Sequence, residues 1–428
     1  MNSRLKISYQ HWRDRDSATL WHPFADIAES ISIPIIDRAD GIHLYELDGN
    51  CLIDGISSWW CCNLGHNHPS LVEAIVSQAH NLQHTMLGNL SHTQAIRLAD
   101  KLASIAPNGL CRSFFASDGA CAVEAALKMA IQYWHMQGKS EKKQFISLQN
   151  GYHGDTLGAM GVGFMPSFHA PFSGAVIPSI QAPAPLCPTC PYKNDCSGQC
   201  FSSMKKCIKK NHEKAAAVII EPLCQGAAGM NIYKPIYLKL LREACDEYNV
   251  LLIADEIAVA FGRCGSWFAC DQADILCLGK GITGGYLPLS VTMVTEKIYQ
   301  AFHSSSFLHG HTFCGNPIAS ALACAAIDIY ENMLPTIPYK VLHDAFSKLK
   351  PFLSNIRTLG MIAAGDTPSY EIAKRIALDC QTHGLLIRPL GKVIYLCPPL
   401  TSTPEEIKRM VSILYTACKK TTSWIPPK

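Results

Sequence analysis

Charged side chains are scarce. Asp, Glu, Lys and Arg make up 17% of the 428 residues, against roughly 25% in ordinary globular proteins. A disordered chain needs high charge and little apolar material; here 48% is hydrophobic, so disorder is excluded for most of the length. Nor is there an excess of one sign. The 37 basic and 34 acidic residues leave a net charge of +3, too small for a surface built to hold nucleic acid or a membrane. Long apolar runs are missing as well, none approaching the ~18 residues that span a bilayer. The opening, MNSRLKISYQHWRDRD, is polar and lacks the apolar stretch of a secretory signal. No internal repeat or low-complexity tract is present. Cysteine, in contrast, is abundant at 20 residues. Most sit singly in apolar segments such as LLIADEIAVAFGRCG and ALACAAID. That is the pattern of small buried hydrophobes in a reducing compartment, not of a disulfide framework. A cytoplasmic location is the expectation.

The length implies two or three domains at about 150 residues each. Short apolar runs alternate with helical patterns through the middle of the chain. Strands are expected at 111–116, 144–148, 217–221, 250–255, 275–278 and 289–294, and helices at 120–137, 235–248 and 316–333. The strands are apolar at nearly every position, which signals burial on both faces and a mostly parallel sheet. Strand alternating with helix makes the fold class α/β. IHLYELDGNCLIDG reads as a hairpin around Asp48-Gly49. LPTIP breaks the chain after Asn332. The expected organisation is a large domain over 66–330 and a smaller α+β domain built from 1–65 and 331–428. Residues 165–212 are the least regular stretch.

The chemistry concentrates between Val250 and Leu289. Asp255 ends one apolar strand and Lys280 comes just after the next, DILCLGKGITGG. Ligands of open α/β sheets bind at strand ends. The two residues can form a plain buried ion pair. They also match what pyridoxal phosphate needs, an amine for its aldehyde and a carboxylate for its ring nitrogen. A phosphate seeks backbone N–H groups at a helix start, and Ser117-Asp118-Gly119-Ala120 lies between a strand and a helix. Ser117 or Asp118 would cap that helix. GYHGDT (151–156) comes after another strand, and Tyr152 there is either a turn aromatic or a plate for a flat heterocycle. HGHTFCGNP (309–317) is a Gly- and His-rich turn whose Thr312 has a hydroxyl to offer a phosphate.

In this order the pieces resemble the class III aminotransferases of fold type I, over nearly the whole chain. The strings are LWHPF (20–24), DGISSWW (54–60), GHNHP (65–69), GYHGDT, EPLCQGAAGM (221–230), LLIADEIAVAFGR (251–263), LCLGKGITGG (276–285), GHTFCGNP (310–317) and IRPLGKVIYLCPP (387–399). SSWW, HPF and IRPLGKVIY are particular to members that aminate 8-amino-7-oxononanoate to 7,8-diaminononanoate in biotin synthesis. Ala258 agrees, since ornithine and 4-aminobutyrate enzymes usually carry Gln there. Another ω-aminotransferase of the family, acting on a diamine or ω-amino acid, is the alternative. A non-catalytic metal-binding or regulatory protein on the same fold is the remote one.

The resemblance implies pyridoxal 5′-phosphate, a keto acid and an amino donor as small-molecule substrates, and a homodimer with its sites at the interface. No nucleic acid or membrane partner is implied. Lys280 would carry the cofactor and move the substrate proton, and Asp255 would pair with the ring nitrogen. Gly119 and Ala120 would bind the phosphate, joined by His311 and Thr312 from the other subunit. Tyr152 would pack near the ring and substrate. Phe24, Trp59 and Gly310 would border the substrate channel. Arg388 would take the distant carboxylate with its fork of donors, and Arg263 would contact either substrate. For Trp60, core packing is the favoured reading. Glu221 and Gln225 would shape the site. Phe24 stands where S-adenosylmethionine-dependent members often have Tyr, which leaves the donor as S-adenosylmethionine or lysine. Asp118 and Ala120 depart from the commoner D-S-G-S, and His311 replaces a common Pro. Finally, CPTCPYKNDCSGQC spaces Cys187, Cys190, Cys196 and Cys200 for zinc, one disulfide or free thiols; free thiols without metal are the expectation.

Overall fold

The computed structural model describes residues 9–30, 33–107, 109–192 and 194–422. Residues 1–8, half of the polar opening, lie outside the described ones. A seven-stranded sheet forms the centre. Its strands are β1 (Leu110–Ala116), β2 (Gln144–Leu148), β3 (Ile180–Ala182), β4 (Ala215–Ile220), β5 (Leu251–Asp255), β6 (Ile275–Leu278) and β7 (Ser290–Thr295). Their order is β1-β7-β6-β5-β4-β2-β3. All run parallel except β7, which is inserted antiparallel between β1 and β6.

Every residue of β4, β5 and β6 is buried, which is why these segments read as unbroken apolar runs. The period of two is still visible in what each residue touches. Ala217 and Ile219 pack with α1 (Gly119–Met136) on one face. Val218 and Ile220 pack with α2 (Ile236–Glu247) on the other. A third helix, α3 (Pro317–Met333), lies in the largest core cluster with β7 and the C-terminal helices.

Register then decides what meets at one edge. Ala254 sits beside Ile220, and Asp255 beside Cys277. Leu278 faces Val291, and Ala116 faces Ser290. The ends of β1, β4, β5 and β6 therefore leave the sheet together. Immediately beyond those ends lie Ser117–Ala120, Glu221, Glu256 and Gly279-Lys280. Parallel β2 exits at the same edge toward Tyr152 and His153.

The terminal segments meet away from this sheet. The hairpin is present as His43–Glu46 against Cys51–Asp54, extended by Ile36–Asp40. Leu385–Leu386 pairs parallel to Cys51–Asp54, so distant parts of the chain share one small sheet. Ser354–Leu359, Ile362–Asp366 and Val393–Leu396 form a second one, antiparallel. Among the elements that escaped the sequence reading are three very short strands and the helices Pro69–Asn81 and Thr93–Ile105. Edge strand β3 is only three residues long inside the irregular 165–212 stretch, and the pair Cys224–Gln225 with Asn231–Ile232 has two residues per strand. None of these strands is long enough to show a period. No helix among the described residues is long and apolar enough to cross a membrane.

Candidate active site

A cavity of ≈ 510 Å³ opens at the carboxyl edge of the sheet. It is lined by Trp60, Asp118, Gly119, Ala120, Tyr152, His153, Gly154, Asp155, Thr156, Glu221, Cys224, Asp255, Ile257, Ala258, Val259 and Lys280. Lys280 begins a short 3-10 turn just past β6 with φ 43°, a left-handed conformation that L-residues adopt only under constraint. Its Nζ lies 5.3 Å from the centroid of the Trp60 ring. Burial pushes the amine's pKa down, with the charge of Asp255 working against that shift. Part of the drive toward the neutral amine is thus built into the pocket.

Asp255, at the end of β5, is held from two sides. Its Oδ1 accepts the Ile257 N–H at 3.2 Å, and its Oδ2 lies 2.6 Å from His153 Nδ1. Burial opposes charge on His153, yet its bond to Asp255 and the negative charges of Asp255 and Glu221 leave its pKa raised. The neighbouring Asp255 and Glu221 thus pull the His153 ring toward its protonated form. Sequence reading passed over His153; its place next to Tyr152 after a strand was the signal available. Glu221 accepts the N–H groups of Tyr152 at 3.0 Å and Gly226 at 2.9 Å. Burial lifts its pKa to about 7, against the charge of His153 and those two bonds. Gln225 acts one layer out, donating to Gln149 O at 3.0 Å and accepting from Asn231 at 2.9 Å.

The opposite wall is the start of α1. Asp118 caps it, accepting the Cys121 N–H at 3.0 Å, which leaves the Gly119 and Ala120 amides at the cavity. A Cβ on Gly119 would stand 3.0 Å from the Ile257 side chain, a tight contact that Ile257 would have to yield to. Glu124, one turn into α1, accepts from Thr156 Oγ1 at 2.6 Å and the Gly158 N–H at 2.9 Å. It ties the 151–156 loop to the helix, and sequence reading missed it. Tyr152 donates to Asp155 Oδ2 at 2.8 Å, and its ring stacks on His169 at 6.1 Å. Burial, then the hydrogen bond to Asp155, raise its pKa.

Trp59, Phe24 and Arg388 come together in one cluster, none of them in the lining of this cavity. Trp59 is 42% exposed. The Arg388 guanidinium carbon lies 4.5 Å over its ring, and the Phe24 ring packs edge-on at 5.7 Å. Trp60, expected in the core, does pack there with Tyr395, to whose hydroxyl its Nε1 donates at 3.1 Å. The same ring also forms a cavity wall. Arg263 requires a correction. It is 0% exposed and does not line the cavity. Its Nη1 donates to Pro398 O at 2.6 Å and Met361 O at 3.2 Å, and its Nη2 to Asn63 Oδ1 at 2.7 Å and Ser57 Oγ at 3.1 Å. Those four bonds make it a brace for the segment that carries the tryptophans, while its Nε is buried without a hydrogen-bond partner. Gly310, His311 and Thr312 are not in the lining of this chain's cavity, and a Cβ on Gly310 would meet nothing within 4 Å. Cys187, Cys190 and Cys196 are half-buried and Cys200 exposed, all as free thiols. Among the described residues no cluster of three or more potential ligands is arranged to hold a metal.

The chain belongs to the class III aminotransferases, whose family model matches residues 26–418. It is an enzyme of the fold type I, pyridoxal 5′-phosphate-dependent class. Among its relatives is the adenosylmethionine-8-amino-7-oxononanoate aminotransferase of Geobacter sulfurreducens, 39% identical over 94% of this chain and 96% of the relative. The crystal structure of the enzyme of that name from Methanocaldococcus jannaschii superposes with a TM-score of 0.92 at 35% identity, covering 96% of this chain and 99% of the other. A pyridoxal-phosphate-bound amine transaminase from an uncultivated Pseudomonas species gives 0.88 at 32% identity, covering 94% and 98%.

The residues present fit the cofactor. The cavity offers one amine with a lowered pKa, one carboxylate locked by a histidine, and a capped helix start with no side chain beyond Cβ at Gly119 and Ala120. Ala258 leaves room where a longer side chain would project.

Proposed function

We propose that this chain transfers an amino group from S-adenosyl-L-methionine to the ketone of 8-amino-7-oxononanoate, forming 7,8-diaminononanoate for biotin. The observation that carries this reading is the placement of Arg388 over Trp59, one residue from the Trp60 that walls the Lys280 cavity. A cation beside exposed aromatic rings suits a long apolar acid whose ketone must reach the amine while its carboxylate stays outside.

When bound, pyridoxal phosphate supplies an electron-withdrawing ring that makes the carbon bearing the amino group acidic. Lys280 would anchor the cofactor, and its amine of lowered pKa would be the group placed to take up and return the substrate proton. Asp255, oriented by His153, keeps the ring nitrogen protonated. The Gly119 and Ala120 amides bind the phosphate. Tyr152 packs against ring and substrate, Phe24 and Trp59 wall an apolar channel from water, and Arg388 receives the carboxylate.

A second copy of the chain completes the site in this reading. Gly310, His311 and Thr312 stand clear of this chain's own cavity, flanked by the exposed side chains of Leu308 and Phe313. A partner's cavity is where His311 and Thr312 would reach a phosphate, Gly310 bordering the channel. The free cysteines suit a reducing compartment, the cytoplasm. Lysine is the second donor reading, because Phe24 packs on Trp59 without a hydroxyl to recognise an adenine.

Assays with each donor test the proposal. Holoenzyme should form 7,8-diaminononanoate with S-adenosylmethionine, and expression should rescue a biotin auxotroph lacking this step. Turnover of diamines or ω-amino acids, with none on the keto acid, would assign another ω-aminotransferase.

A further inference from the structure

Four successive residues, Ser57 to Trp60, carry φ of 49°, 44°, 75° and 71°, and none is glycine. L-residues rarely string left-handed conformations together, because Cβ crowds the following carbonyl. Such a run persists only where its surroundings over-determine it. Here they converge on one carboxylate. Asp54 is fully buried at the end of Cys51–Asp54. Its Oδ1 accepts the Ser58 N–H at 2.9 Å and the Ile56 N–H at 3.3 Å. Its Oδ2 accepts the Ser58 hydroxyl at 2.7 Å and stands 2.9 Å from His66 Nε2. His66 is itself pinned, its N–H reaching Gly41 O at 2.7 Å and its O receiving the Gly41 N–H at 3.0 Å. The anchored turn sets where Trp59 meets Arg388.

We infer that Asp54 and His66 are a positioning pair that governs recognition of the keto acid by holding the Ser57–Trp60 turn left-handed. Neither lines the cavity; both act through Trp59. The inference deepens the proposed function and rests on Arg388 and Trp59 receiving the carboxylate end. A merely structural ion pair would behave differently, because its loss would depress thermal stability and the use of both substrates alike.

Asp54→Asn and His66→Gln test this as purified holoenzymes. KM for 8-amino-7-oxononanoate should rise about tenfold in Asp54→Asn and about threefold in His66→Gln, while kcat, donor KM and cofactor colour change less than about twofold. In a Trp59→Ala background the Asp54→Asn effect should shrink below about twofold, since the side chain it positions is gone. An unchanged keto-acid KM, equal losses for both substrates, or a full-sized Asp54→Asn effect without Trp59 would overturn the inference. If Asp54→Asn does not fold, His66→Gln decides, because it leaves the carboxylate and its bonds to the turn in place. Arg388→Ala separates the two levels. A keto-acid KM unmoved by that change sinks the underlying reading, whereas a raised KM there beside unmoved Asp54 and His66 variants sinks only the positioning pair.

Discussion

The two ends of the proposed site are built in different ways. At the proposed cofactor end, Asp255, Lys280 and Glu221 stand at the ends of central strands paired on both sides, and Gly119 just past the edge strand paired with β7. A one-residue slip there would carry these end groups off the cavity edge, so they inherit the rigidity of the core. At the proposed substrate end, outside the cavity lining, Trp59, Phe24 and Arg388 sit on irregular segments from both terminal parts of the chain. Phe24 as well as Trp59 has positive φ, and left-handed residues cost roughly 1–2 kcal/mol each. Such geometry is set by side-chain anchors, Asp54 and Arg263 among them, and not by a ladder. The chemistry rides on the part that cannot shift, and recognition on the part that single side chains can retune.

Substitutions at each end should break this contrast or sharpen it. The largest effect belongs to Lys280→Ala, which should abolish the yellow Schiff-base colour and cut turnover at least about 10⁴-fold; equal colour in variant and wild type would end the assignment. Next is Arg388→Ala, expected to raise KM for the keto acid about 30-fold with the donor's KM nearly unmoved. Equal effects on both substrates would place the carboxylate elsewhere. His153→Gln keeps a donor toward Asp255 but removes a ring whose pKa Asp255 raises, so kcat should fall on the order of tenfold with KM little changed. If KM carries the loss instead, His153 belongs to the substrate end. The smallest effect is on pH dependence. Glu221 ordinarily titrates at 4.5 and is pushed up to about 7 by burial. Between those values the folded chain holds a proton that the unfolded chain releases, so this group makes stability fall as pH rises through that window. Glu221→Gln should flatten the slope of melting temperature against pH there; an unaltered slope would show that the penalty is relieved in the folded state.

Legibility in the sequence tracked the same divide. Strands buried on both faces, a capped helix start at Asp118 and an acid and a lysine at neighbouring strand ends were all readable, because local composition expresses them directly. Trp59 and Arg388 could be named only through resemblance, since nothing near either residue announces the other. His153 and Glu124 were missed because each works on a partner brought close by the sheet, Asp255 in one case and the 156–159 segment in the other. Arg263 was misread for a related reason. An arginine after a turn looks available, and only the folded chain shows it fully buried with its two terminal nitrogens bonded to Met361, Pro398, Ser57 and Asn63.

By itself, then, the order of residues determined the layered α/β architecture and the reacting groups, since apolar periodicity and strand-end position are properties of short segments. Tertiary structure alone decided which side chains are brought to the cavity and to the Trp59 cluster. That choice depends on hydrogen bonds between residues hundreds of positions apart, such as Ser57 with Cys397 and Trp60 with Tyr395, and no local pattern encodes a partner that only folding brings within reach.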